Sequence, residues 1–171
     1  MDGMFQFLNP GNLIEGDLHL ELAETGYKGP TDDRFPFYRF RMINTTSRQT
    51  LGQITLRIGD AAGILKYPGH IGFDVHPSHR GHRYAERSTR LLFPFARMNG
   101  IRNLWIGCSE DNFASRRICE RLGGVLAETI PVPEGVDLYG QGMRVLCRYC
   151  IVLNTTQQFD EPNDAPRRRL S

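Results

Sequence analysis

Apolar and polar residues alternate with a period of two through most of the first half of the chain. Leu18 to Leu22 reads L-H-L-E-L, the signature of a half-buried strand. Phe37 to Ile43 and Leu51 to Ile58 repeat the pattern on either side of the polar turn Asn44 to Thr50, and His70 to Val75 follows as a fourth strand. Between the first two strands, Glu24 to Arg34 carries Gly26, Gly29, Pro30 and two aspartates, which reads as a loop. The period then changes. Tyr84, Ser88, Leu91, Leu92, Phe95 and Ala96 fall on one helical face opposite arginines, with Pro94 expected to bend the axis and Gly100 to end it. Leu104 to Cys108 is a short buried strand. Asp111 or Asn112 can cap a second helix reaching about Leu122, which Gly123 and Gly124 stop. Val125 to Ile130 and Arg144 to Leu153 are the last two strands, joined by the Pro- and Gly-rich stretch Pro131 to Gly142. Strands first, then helix, strand, helix, strand, strand specify an α/β chain with a mixed sheet.

With 171 residues, 40% of them hydrophobic, the chain can build one core. The reading is a single domain over residues 1–153 and a polar tail over 154–171 carrying Arg167 to Arg169. No apolar run nears the about 18–20 residues that span a bilayer. Met1 to Gly16 lacks the basic start and apolar centre of a secretory signal, so the expected location is the cytoplasm, with no membrane partner. A net charge of +2, and no stacking aromatics interleaved among Arg80 to Arg90, argue against nucleic acid. Cys147 and Cys150 form a C-x-x-C, but a spacing of three on a strand points them to opposite faces, and no second pair completes a metal site. The four cysteines are read as free thiols and no metal is expected.

The most informative stretch is Val75 to Ala85, V-H-P-S-H-R-G-H-R-Y-A. A strand ends at a proline, a basic glycine turn follows, and a helix opens at once. Such a turn presents unbonded main-chain N–H groups, the positive end of a helix dipole and arginines to one anionic group, as a pyrophosphate cradle does.

From Gly69 to Val125 the chain resembles the GNAT superfamily of acetyl-CoA-dependent N-acetyltransferases. The family's phosphate motif, Gln/Arg-x-x-Gly-x-Gly/Ala after a strand and V-x-P, stands here as Arg80-Gly81-His82-Arg83-Tyr84-Ala85. Its downstream Asn-x-x-Ser ahead of a helix ending in L-G stands as Asn112 to Ser115, then Leu122-Gly123-Gly124. Gly52 to Arg57, Gly69 to Phe73 and Arg148 to Ile151 are further similar to a bacterial branch of predicted acetyltransferases, extending the resemblance over about Leu18 to Leu153. The resemblance implies a GNAT-like mixed, mostly antiparallel sheet of about six to seven strands flanked by helices. It implies acetyl-CoA as co-substrate, held by Arg80, Gly81, His82, Arg83, Tyr84 and Ala85. The backbone near Phe73 and Val75 would align the pantetheine arm, with Asn112 and Ser115 beside it. Arg83 departs from the motif, which has glycine at that position. An arginine there calls for an ordinary helical φ and adds charge near phosphate.

The implied reaction is attack of an amine on a thioester. An alkyl amine of pKa about 10.4 is only about 0.04% neutral at pH 7, equivalent to roughly 4.6 kcal/mol of deprotonation. The site must therefore relieve the ammonium of a proton and return one to the thiolate leaving group. Many members of the family use a tyrosine seven residues after the Asn as the acid, and here that position is Cys119. Cys119 and Tyr149 are the candidate acids. His70 and Asp74 are the candidate bases, alternating with His76 along the strand that leads into the cradle. The expected acceptor is a primary amine of a small molecule or peptide, walled by Glu24 to Arg34 and by Pro131 to Gly142 with Glu134, Asp137 and Tyr139. A non-catalytic acyl-CoA-binding protein, a longer acyl donor and a homodimer all stay open.

Overall fold

The computed structural model describes residues 4–29, 33–63 and 65–154, so the expected tail beyond Asn154 lies outside the described residues. Its strands form one mixed sheet in the order β1-β2-β3-β4-β5-β6-β8-β7. They are β1 (Leu13–Glu15), β2 (Leu18–Lys28), β3 (Phe35–Asn44), β4 (Thr50–Arg57), β5 (Ile71–Val75), β6 (Asn103–Ser109), β7 (Val125–Pro131) and β8 (Val145–Val152). Every neighbouring pair is antiparallel except β5 and β6. The helices are α1 (Tyr84–Leu91), α2 (Phe93–Met98), α3 (Phe113–Arg121) and the single turn α4 (Asp137–Gly140). The sheet is one strand wider than the widest sequence expectation, because the three-residue β1 is too short to show a period.

Strand alternation decides the core. Leu18, Leu20, Tyr38, Phe40, Met42, Ile54, Leu56, Ile71, Leu104, Ile106, Tyr149 and Ile151 bury one face of the sheet with Tyr84, Leu92, Phe93, Phe95, Leu122 and Cys119 from the helical segments. The opposite face of β6 and β8 is covered by loops. There Leu65, Val132 and Leu146 are buried, and a Cβ at Gly107 would stand 3.1 Å from the Tyr67 carbonyl oxygen.

Two local expectations are corrected. Glu24 to Arg34 is not a loop throughout. Glu24, Thr25, Gly26, Tyr27 and Lys28 continue β2 and pair with Arg39 to Phe35 after a bulge at Ala23. Cross-strand pairing here overrides the weak strand preference of glycine. Pro94 breaks the helix instead of bending it. It takes the second position of α2, where an amide N–H has no intrahelical partner to lose, and α1 stops at Leu91.

A crevice between splayed strands and a basic turn

Strand β5 pairs with β6 only at its own beginning, against the middle of β6. His70 N donates to Trp105 O at 2.8 Å, Ile71 registers with Ile106, and no ladder pair follows. On the other side, Arg57 N donates to His70 O and His76 N to Leu51 O. By the alternation of an antiparallel ladder, Phe73 and Val75 therefore turn their main-chain groups away from β4 and into the gap beside β6. Gly52 makes close pairing possible on the β4 side, since a Cβ there would collide with the Asp74 carbonyl oxygen.

Past Val75 the chain makes one 3₁₀ turn, Pro77–His79, and enters α1. Gly81 has φ +88° and Arg83, the residue capping α1, has φ +59° and ψ +24°. This overturns the expectation of an ordinary helical φ for Arg83. The turn must reverse direction between Gly81 and Tyr84, and the left-handed region supplies that reversal. Among the described residues, the first main-chain amide after Arg80 that finds a carbonyl is Arg87, bonded to Arg83 O at 2.9 Å. The N–H groups of Gly81 to Glu86 thus stand unbonded at the positive end of α1.

These features meet in a cavity of about 350 Å³. Strand β5 contributes Phe73, Asp74 and Val75, the turn contributes Arg80, Gly81 and Arg83, and α1 contributes Tyr84 and Ala85. Asn112 and Ser115 close it from α3. Asn112 caps that helix, its Oδ1 accepting from Ser115 N at 3.1 Å. His82 is exposed and absent from the lining, whereas His79, Ala114 and Ile118 join it without a signal in the sequence beyond their proximity to the motifs.

A distant hairpin fixes the helix that opens the crevice. Tyr84 OH donates to Asp17 Oδ2 at 2.7 Å, and Arg87 Nη2 donates to Asp17 Oδ1 at 2.8 Å. Arg87 Nε also reaches Glu15 Oε2 at 3.0 Å. The Tyr84 hydroxyl and the Arg87 guanidinium hold the Asp17 carboxyl below the usual carboxylate range, while the same bond and burial raise the Tyr84 phenol. Asp17 and Glu15 lie some seventy residues from their partners, so no spacing rule could have paired them.

Of the four candidate proton-transfer residues, only Asp74 lines the cavity. Its side chain is 66% exposed and 4.0 Å from the Arg80 guanidinium. His70 is buried and faces a different cavity with Gly59 and Trp105. Its Nδ1 accepts from Trp105 N at 2.9 Å and its Nε2 meets Gly59 O at 3.1 Å, so neither ring nitrogen is free to act as a base. Cys119 is fully buried in the core beside Cys108, and that neighbouring thiol together with burial raises its pKa. Tyr149 is also buried, its hydroxyl accepting from Arg116 Nε at 3.1 Å and lying 3.4 Å from Glu120 Oε1. Burial lifts that phenol above its ordinary range.

The family description "Acetyltransferase (GNAT) domain" matches residues 10–125. No curated protein matches the chain by sequence. Among solved structures, RimL, the ribosomal L7/L12 α-N-protein acetyltransferase, superposes with a TM-score of 0.52 at 20% identity over 68% of this chain and 70% of its own. The microcin C7 self-immunity acetyltransferase MccE, in complex with acetyl-CoA and AMP, gives 0.51 at 20% identity over 68% of this chain and 61% of its own. Mutant forms of the Vibrio cholerae spermidine/spermine N-acetyltransferase SpeG give 0.51 at 13% identity over 68% and 67%. The chain thus spans between 61% and 70% of the length of these three structures, and the likeness is one of fold.

Proposed function

We propose that this chain, which belongs to the GNAT acetyltransferase family, moves an acetyl group from acetyl-CoA to a primary amine of a small molecule or peptide by direct attack. The observation that carries the reading is the union, in one cavity, of Gly81, Arg83, Tyr84 and Ala85, whose amides are unbonded, with the β5 main chain facing the splay. The turn fits a pyrophosphate, which it meets with N–H groups and the positive end of α1. The splay fits an extended pantetheine arm lying where a neighbouring strand would otherwise pair. A thioester carbonyl at the end of that arm then sits beside the Phe73 and Val75 main chain, whose N–H groups are placed to stabilise an oxyanion.

An ammonium acceptor loses one proton to become the nucleophile and a second when nitrogen bonds to the carbonyl carbon. The carbon–sulfur bond breaks and the CoA thiolate takes up one proton. Asp74, solvated at the cavity edge, is the carboxylate placed to attract the cationic amine and to receive its proton through water. His70, Cys119 and Tyr149 lie elsewhere, so the thiolate is protonated by solvent in this reading.

Calorimetric titration with acetyl-CoA tests the donor. Binding in the micromolar range is expected, and no heat at high micromolar concentration would sink the proposal. Release of free CoA thiol across a panel of amines and peptide N-termini then tests the transfer, with longer acyl-CoA donors run in parallel. Tight binding without turnover on any acceptor would identify a non-catalytic acyl-CoA-binding protein. The observation behind that second reading is the burial of the Cys119, Tyr149 and His70 side chains.

A further inference from the structure

We propose that the Arg83 guanidinium is a phosphate ligand of this chain and the reason the turn keeps an unfavourable residue; this rests on reading the cavity as a CoA site. Among the described residues only Arg48 and Arg83 are non-glycine residues with positive φ. Arg48 sits in the β3–β4 turn with its guanidinium 3.7 Å from Glu21. Arg83 has no such partner among the described residues. Among the described residues it makes no side-chain hydrogen bond or ion pair, although it lines the cavity.

Its neighbours are all committed. Arg80 Nε donates to Val75 O at 3.0 Å, Arg87 Nη2 to Asp17 Oδ1 at 2.8 Å and Arg90 Nη2 to Glu86 Oε1 at 3.4 Å. Arg83 is therefore the one of these arginines with no partner among the described residues, and it lines the cavity. The position carries two disadvantages. An L-residue with a Cβ is disfavoured in the left-handed region, and a cation is disfavoured at the positive end of a helix. Glycine would remove both. An anion in the cavity reverses the second and gains a charge-assisted hydrogen bond.

CoA offers two sources of this chemistry, its pyrophosphate and its 3′-phosphate, and the test separates them. Wild type, Arg83→Gly, Arg83→Asn and Arg83→Lys are titrated with CoA and with 3′-dephospho-CoA, and their melting temperatures are recorded without ligand. Arg83→Gly is expected to melt about 2–4 °C higher through relief of backbone strain, yet to bind CoA about tenfold more weakly, the worth of one charge-assisted contact. Arg83→Asn, which tolerates the same φ, should lose affinity equally, and Arg83→Lys should retain most of it. A loss equal for both ligands assigns the contact to the pyrophosphate, and a loss seen with CoA alone assigns it to the 3′-phosphate. Unchanged or tighter CoA binding by Arg83→Gly and Arg83→Asn overturns the proposal. Failure of the wild type to bind CoA overturns instead the reading of the cavity.

Discussion

His70 has one protonation state in which both of its hydrogen bonds can form. Trp105 N–H donates to Nδ1, which must therefore be the bare nitrogen, leaving Nε2–H to donate to Gly59 O. Adding a second proton would set two hydrogens against each other in a buried site. Burial accordingly lowers the His70 pKa below its ordinary value. The unfolded chain then binds the extra proton more readily than the folded one, so this contribution to stability is complete above about pH 6.5 and is lost as the pH falls below it. Two consequences are measurable by thermal unfolding. His70→Gln should cost about 1–3 kcal/mol at pH 7.5 by leaving a buried partner unsatisfied. It should also lose less stability than the wild type between pH 7.5 and 5.5, and an equal or larger loss would remove His70 as the titrating group. The residue type was visible in the sequence, and its period-two relation to Asp74 suggested chemistry. What removed it from proton transfer was the Trp105 amide, thirty-five residues away. Arg83 is the converse case: its departure from the motif was legible, but its backbone conformation was not.

At the scale of elements, the cradle helix α1 is short, and its position depends on what holds its first turn. The Asp17 carboxylate does so through Tyr84 and Arg87, joining the β1–β2 hairpin to the helix that opens the crevice. Asp17 is 45% exposed, so water screens much of its pairing with Arg87 and Asp17→Ala should cost only about 0.5–1 kcal/mol at pH 7. The depressed Asp17 pKa makes this a contribution present above about pH 4 and lost as the pH falls through the folded-state value. The larger expected effect is on the donor: acetyl-CoA should bind Asp17→Ala several-fold more weakly, read as a raised dissociation constant in calorimetry, because α1 is no longer pinned where its amides line the cavity. Unaltered affinity would show that the core face of α1 positions it alone. The α1–α2 break belongs to the same scale. Pro94 announced a disturbance, and whether it bends one helix or starts another depends on how Phe93 and Phe95 bury against the sheet.

For the whole molecule, the sheet is continuous except at the β5–β6 splay, and the cavity opens where the ladder stops. A ligand that fills this place binds only the folded chain. At one hundred times its dissociation constant it should add about 2.7 kcal/mol, or roughly 5–10 °C in melting temperature for a domain of this size. Thermal shift with acetyl-CoA, against an adenine nucleotide lacking the pantetheine arm, checks this; an equal shift from both would mean that the splay is not used. The sequence by itself determined the order and kind of nearly all the elements, the buried face of the sheet, and the basic turn leading into a helix. Those features are local: they follow from period, turn chemistry and side-chain type within a few residues. Tertiary structure alone decided which strands part, which side chains reach the cavity, and which are consumed by the core. These are matters of pairing between distant segments, and the same histidine, cysteine or tyrosine is a reactive group or a satisfied one according to the partner that the fold brings to it.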